Sequence, residues 1–347
     1  MGKMFYIHIM KKFLIIPAVL CVFSSYANTG EDSSQYYFSK GLENKTAKKF
    51  LVASQHFEKA ISFNKSFIAA YVENGYVNLE MRKTDQAKLN FTKAYELQPS
   101  NANVLKELTT LYFDFRQWDK AIEFASKCTA CETADLIIGM SSYEKEDYGK
   151  AETALLRAVA KSPSDAKAQY TLARTYVEME SYRKAIPFFE KAVTLSPEKN
   201  VWLNELGLVY YHTDDYKNAA RVFQNAVAQG YPQSNDFNEN YGYALLHSGN
   251  YAKGEEKLMG IYEKKPGNKE ILRDLAQLLY DQKQYDHSLI YCQKLMEANP
   301  KDGAALYQAG LNFIKMGQKE KGQGLCDNGI VLDPSLRSKK TKVEMGF

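Results

Sequence analysis

Residues 200–233 carry two short apolar stripes whose spacing fixes what this chain can become. Leu203, Leu206, Gly207 and Tyr210 lie three, one and three residues apart, and Ala219, Phe223 and Ala226 lie four and three apart. Such spacings place each set on one face of a helix. His212-Thr213-Asp214-Asp215, between the stripes, supplies turn and N-cap residues. The stretch therefore reads as a helical hairpin of 34 residues. Neither helix can bury its stripe alone, so the hairpin needs neighbours.

The chain supplies them. Shifting the pattern back by 34 meets Ala173, Tyr176, Ala185, Phe189, Ala192 and Pro197, and again Gly139, Ala151, Leu155, Ala158 and Pro163. The next step back is only 30, to Tyr112, Ala121 and Cys128. Gly75, Ala87, Phe91, Ala94 and Pro99 resume the period, and Gly41, Ala53, Phe57 and Ala60 form a weaker first copy. Downstream, after one inserted residue, come Gly242, Gly254, Leu258, Ile261 and Pro266, then Leu275, Ala276, Ser288, Cys292, Leu295 and Pro300. Gly310, Phe313, Gly322, Cys326, Gly329 and Pro334 close the series at nine copies.

This pattern resembles the tetratricopeptide repeat, with its apolar residue, Leu-Gly, Tyr, Ala, Phe and Pro at the same offsets. The resemblance implies an all-α fold, a right-handed superhelical α-α solenoid of about nine repeats over residues 28–335, with an irregular joint near 128–135. Small residues such as Gly207 and Ala219 let the paired helices approach, while Tyr210 and Phe223 fill the space beside them. Pro99, Pro163 and Pro197 end the second helices of their repeats. Gly322, Gly324 and Gly329 predict a weak second helix in the last repeat. Residues 336–347 are expected to be a polar, frayed tail.

The first residues read as an address. Lys11-Lys12 precede an apolar run from Phe13 to Phe23 and then Ser24-Ser25-Tyr26-Ala27. A basic start, a short apolar run and a small-x-small end predict a signal peptide over residues 1–27, with Met10 an alternative start. The expected destination is a bacterial periplasm or cell envelope. Leu20, standing where a lipobox has a small residue, weighs against a lipoprotein at Cys21. The formal charge of +4 includes Lys3, Lys11 and Lys12; without them 42 basic residues face 41 acidic ones. A near-neutral chain argues against a nucleic-acid partner.

Chemistry has few footholds. Cys128-Thr129-Ala130-Cys131 could be a disulfide, a pair of thiols, a redox site or half a zinc site. No further ligands lie nearby for zinc, and a redox site of the thioredoxin kind needs a βαβ setting, so a disulfide pinning the joint is the leading reading. Cys292 and Cys326 occupy core positions. Residues 317–322 resemble a phosphate loop, but Gln323 stands in place of its lysine. The expectation is no catalytic residue, no metal and no cofactor.

What remains is a surface. In the tetratricopeptide family the first helix of each repeat lines a concave groove. Carrying that over gives Tyr170, Arg174, Asn204, Tyr211, His212, Tyr243, His247, Arg273 and Tyr280 as inward-facing, with Tyr76, Phe113, Tyr143 and Tyr307 beside them. Tyrosine and arginine combine large contact area with a polar end, which suits a protein or peptide partner. The family's clamp for a C-terminal carboxylate is not met, because Lys106 is followed by Thr110 and Tyr170 by Arg174 where Lys and Asn are required. The resemblance thus implies a non-enzymatic scaffold that binds an extended peptide or helix. A structural subunit of a cell-envelope complex, or a glycan-binding or redox protein, are the rival readings. The sequence leaves the oligomeric state open.

Overall fold

The computed structural model describes residues 29–337, as eighteen α-helices and one terminal 3-10 turn; no strand occurs among the described residues. Residues 1–28, which include the expected signal peptide, and residues 338–347 lie outside the described residues. By its contacts the chain divides into two units between Leu108 and Thr109, a boundary that falls inside one helix. In the first unit lie α1 (Thr29–Thr46), α2 (Phe50–Phe63), α3 (Ile68–Glu80) and α4 (Thr84–Leu97), with the start of α5 (Ala102–Asp114). The second continues with α6 (Trp118–Lys127), α7 (Ala134–Glu144), α8 (Tyr148–Lys161), α9 (Ala166–Glu178) and α10 (Tyr182–Leu195). It then holds α11 (Asn200–His212), α12 (Tyr216–Ala228), α13 (Asn235–His247) and α14 (Tyr251–Lys264). It ends with α15 (Glu270–Asp281), α16 (Tyr285–Ala298), α17 (Gly303–Lys315) and α18 (Lys319–Leu332).

Most of the hairpins close on the same kind of contact. Gly207 of α11 faces Phe223 of α12, and a Cβ added at Gly207 would stand 2.6 Å from that ring. Gly75 meets Phe91 in the same way at 2.7 Å, and Gly242 meets Leu258 at 2.8 Å. In the α9–α10 hairpin Ala173 takes the glycine's place, and Phe189 fills the facing position. Phe91, Phe189 and Phe223 are almost wholly buried, and burying such a ring contributes about 2–3 kcal/mol. The rings then pack from repeat to repeat: one core in the second unit runs from Ala151 to Leu245, and a second from Leu246 to Ala309.

The turn inside each repeat is equally constant. Glu180 N–H donates to the Val177 carbonyl and Ser181 N–H to the Tyr176 carbonyl, which closes α9 with a Schellman motif. The residue at its left-handed position recurs in every repeat as Lys48, Arg82, Arg116, Glu146, Glu180, Asp214, Gly249, Lys283 and Gly317. Seven of these carry side chains at φ between 53° and 61°. A side chain there costs on the order of 1–2 kcal/mol, offset by the two backbone hydrogen bonds and the packing that the turn permits.

Two sequence expectations need correcting, and the irregular joint finds its explanation. The last second helix, α18, is a full 14 residues despite its glycines. A Cβ at Gly322 would lie 2.6 Å from the Gly310 carbonyl oxygen and one at Gly329 2.7 Å from that of Gly303. The glycines let α17 and α18 come together backbone to backbone, and this packing outweighs their low helix propensity. The polar tail starts later than residue 336, because Pro334–Leu336 forms a 3-10 turn whose Leu336 packs against Tyr307, Cys326 and Ile330. The short step of 30 residues has a simple origin: α6 has 10 residues where α8 has 14. Cys128 caps α6, and its disulfide to Cys131 spans a turn with Cα atoms 5.3 Å apart rather than a helical turn. Asp135 of α7, held by Arg157 and Lys161 of α8, braces the same joint.

Because a Cβ at Gly207 would meet the fully buried Phe223 ring, Gly207→Ala is expected to cost about 2 kcal/mol in urea unfolding. Gly149→Ala, with nothing within 4 Å of its new methyl group, is the matched control and should leave stability unchanged or slightly raised.

Candidate functional site

The first helices of the repeats in the second unit present one face, and successive tyrosines on it reach across to the next first helix. Tyr143 of α7 donates its hydroxyl to Glu178 of α9 at 3.1 Å. Tyr170 of α9 donates to Glu205 of α11 at 3.0 Å, and Tyr243 of α13 to Asp274 of α15 at 2.7 Å. In the first unit Tyr76 makes the same bond to Glu107. The sequence separations are 35, 35 and 31, that is, one repeat plus one residue or one repeat minus three. Those two offsets differ by one helical turn, so both place the carboxylate on the same stripe. Burial pushes the phenols of Tyr143, Tyr170 and Tyr243 well above their ordinary value, so they stay protonated donors.

The helices hold these side chains by local means. Asp165 caps α9 by accepting from the Lys167 and Ala168 N–H groups. Thr171 and Thr175 return their hydroxyls to the Lys167 and Thr171 carbonyls, so both buried hydroxyls are satisfied within the helix.

Three clefts open along this face. The first, about 670 Å³, is lined among others by Tyr143, Lys167, Tyr170, Arg174, Lys199 and Trp202. Tyr170 and Trp202 stack with centroids 4.3 Å apart and planes 13° from parallel. The Arg174 guanidinium lies 5.3 Å from the Tyr143 ring and 6.0 Å from the Tyr170 ring, within reach of Glu178 (3.7 Å) and Glu205 (3.9 Å). Burial pushes the Glu205 carboxyl above its ordinary value, against the opposing pull of Arg174 and the Tyr170 hydroxyl. A smaller cleft of about 200 Å³ beside it is lined by Tyr182, Leu208 and His212 together with Arg174, Glu178 and Glu205. The third, about 310 Å³, lies among Tyr211, Tyr243, His247, Asp274, Gln277 and Asp281.

The structure thus brings Tyr170 and Arg174 together, and separately Tyr211, Tyr243 and His247. His212 and His247 do not meet; each stacks on the tyrosine that opens the preceding second helix, Tyr182 at 5.0 Å and Tyr216 at 4.2 Å. No metal-holding group of three or more His, Cys, Asp or Glu occurs among the described residues. Arg273 and Tyr280 line another hollow with Tyr307. Arg273 is committed within the fold, donating to both oxygens of Asp302 at 3.1 and 2.7 Å. Asn204 is half-buried on α11 and lines none of these clefts. Sequence reasoning missed Trp202, Glu178, Glu205, Tyr182 and Asp274. The offset of 35 or 31 from a groove tyrosine to an acid was present in the sequence and could have found the carboxylates.

Residues 138–200 and 204–269 match the tetratricopeptide repeat family, and residues 245–311 match it again. The chain is a tetratricopeptide repeat protein. It is similar to the solved C-terminal part of a TPR repeat-containing protein from Cytophaga hutchinsonii, with a TM-score of 0.52 at 17% identity, covering 69% of this chain and 99% of that one. It also resembles anaphase-promoting complex subunit 3 of Schizosaccharomyces pombe, 24% identical over 147 residues, and human protein O-mannosyl-transferase TMTC3, 27% identical over 128. These stretches are 40% and 35% of this tetratricopeptide chain but only 22% and 14% of the two relatives. Folds of this kind support a protein–protein interaction scaffold.

Asp302 also caps α17 by accepting from the Ala305 N–H. Burial alone would raise its carboxyl, but Arg273 and that N–H outweigh burial and hold it below the ordinary carboxylate range. A depressed folded-state value adds stability above the unfolded value, and this is lost as pH falls through the folded one. Arg273→Ala should therefore lower the melting temperature at pH 7, and the deficit should shrink as the pH of the melt falls below the ordinary carboxylate range.

Proposed function

We propose that this protein is a non-enzymatic scaffold that holds an extended peptide or helix of a partner protein against its first-helix face. The observation that carries the reading is the first cleft, where the stacked Tyr170 and Trp202 and the Arg174 guanidinium form a rigid wall. Large aromatic and arginine side chains held in place before binding lose little freedom when a partner arrives, which is the property of binding hot spots. Because the tyrosine hydroxyls are already engaged with carboxylates, the recognition elements are ring faces and edges, the Arg174 fork, and Lys167 and Lys199 at the cleft margin. That is a different emphasis from free tyrosine hydroxyls pointing at a ligand.

We also propose that the protein acts outside the cytoplasm. The basic and apolar start ending at Ala27 supports export, and the Cys128–Cys131 disulfide suits an oxidising compartment.

One experiment addresses both parts. The full-length chain is expressed in a Gram-negative host, cross-linked in the envelope fraction, and analysed by mass spectrometry. The expected result is a processed N-terminus at Asn28 and a partner peptide cross-linked near Trp202. Tyr170→Ala combined with Trp202→Ala should cut that capture at least tenfold with helicity by circular dichroism unchanged. Capture undiminished by the double variant but lost on removing α17 and α18 would favour an assembly subunit that packs through its terminal repeats.

A further inference from the structure

The third cleft differs from the first in charge. The first is lined by Lys167, Arg174 and Lys199 as well as by acids. The third has Asp274 and Asp281 on α15 and no lysine or arginine. Glu239 acts on both of its tyrosines, Tyr211 and Tyr243, with no cation opposing it. Asp274 accepts from the Tyr243 hydroxyl and Asp281 from the Gln277 amide at 2.9 Å, and among the described residues no lysine or arginine ion-pairs with Asp274, Asp281 or Glu239. Elsewhere on this face the chain does pair its acids: Glu178 and Glu205 share Arg174, and Asp302 has Arg273. His247 does not supply the missing charge, because burial holds it below its ordinary value, and its ring is occupied by stacking on Tyr216.

A cleft walled by half-buried tyrosine rings and rimmed by exposed carboxylates without a lysine or arginine partner is complementary to a cation. The two half-buried tyrosine rings offer their negative faces, and the carboxylates at the rim add a charge attraction screened by solvent. We propose that this cleft receives a lysine or arginine side chain of the partner segment, set between Tyr211 and Tyr243 and bonded to Asp274 and Asp281. The inference rests on the groove reading above and adds to it a selection rule: the segment that lies across Tyr170 and Trp202 carries a basic residue toward α13 and α15. With a mixed first cleft and an acidic third one, the groove also reads direction, since reversing the segment would carry its cation away from the carboxylates.

The test uses the full chain and a blocked pentapeptide, acetyl-Gly-Gly-Arg-Gly-Gly-amide, with its citrulline counterpart as the neutral match. Binding is followed by NMR of ring-labelled tyrosine, with Tyr211→Phe and Tyr243→Phe spectra assigning the signals. The arginine peptide should shift both signals, and the citrulline peptide should bind at least tenfold more weakly. Asp274→Asn with Asp281→Asn should weaken the arginine peptide at least tenfold, while Asp274→Glu, which keeps the charge, should retain most of its binding. Trp202→Ala should leave this binding unchanged, so failure of the first cleft and failure of the third are distinguishable. Equal binding of the two peptides, or indifference to the double Asn variant, would overturn the proposal. Displacement of the arginine peptide by millimolar calcium would make the cleft a metal site and would overturn it too. Tighter peptide binding after removal of residues 338–347 would assign the cleft to this chain's own basic segment and refute a partner.

Discussion

A small residue on one helix, facing a bulky apolar side chain on the next, is the contact on which most of these hairpins depend. Gly207 against Phe223, Gly75 against Phe91 and Gly242 against Leu258 bring the two helices so close that even a methyl group would collide. That closeness seals each ring from water and presents the remaining apolar side chains to the next hairpin. The core of the second unit is therefore assembled from many small, similar pieces, none of which can be buried by its own hairpin. The same constraint explains why the left-handed turn is kept even where lysine, arginine, aspartate or glutamate occupies it. Opening that turn would separate the helices by more than the glycine contact tolerates.

Upon this scaffold the first-helix face is held by a second, weaker set of interactions. A tyrosine on one repeat donates to an acid on the next, and Arg174 lies between two tyrosines and two glutamates. These contacts tie neighbouring repeats together along the face proposed to receive a partner, so the face is organised without one. A single neutral hydrogen bond adds about 1 kcal/mol, and more when the acceptor is charged. Small gains of this size, repeated along the face, suffice to fix its side chains.

Much of the fold was legible because a period of 34 residues leaves one arrangement for the apolar stripes. The hairpins, the glycine positions and the helix-ending prolines all followed from it. What escaped was decided by tertiary packing. Gly322 and Gly329 read as helix weakeners, since propensity was visible and the backbone contacts to Gly310 and Gly303 were not. In the groove, Tyr170 and Arg174 were visible as inward-facing, but their attachment to Glu205 depends on how one repeat rotates onto the next. Arg273 looked like a ligand residue for the same reason and is bound to Asp302. Trp202 was not among the residues expected to face inward, although its ring forms a wall of the first cleft.

The central claim is that the groove's side chains bind one another across repeats and so hold the face in readiness. A double-mutant cycle on stability between Tyr170→Phe and Glu205→Gln measures this directly, because it isolates the contact between α9 and α11 from the loss of either side chain alone. The account predicts a favourable coupling of about 0.5–1.5 kcal/mol. Strictly additive effects of the two substitutions would contradict it.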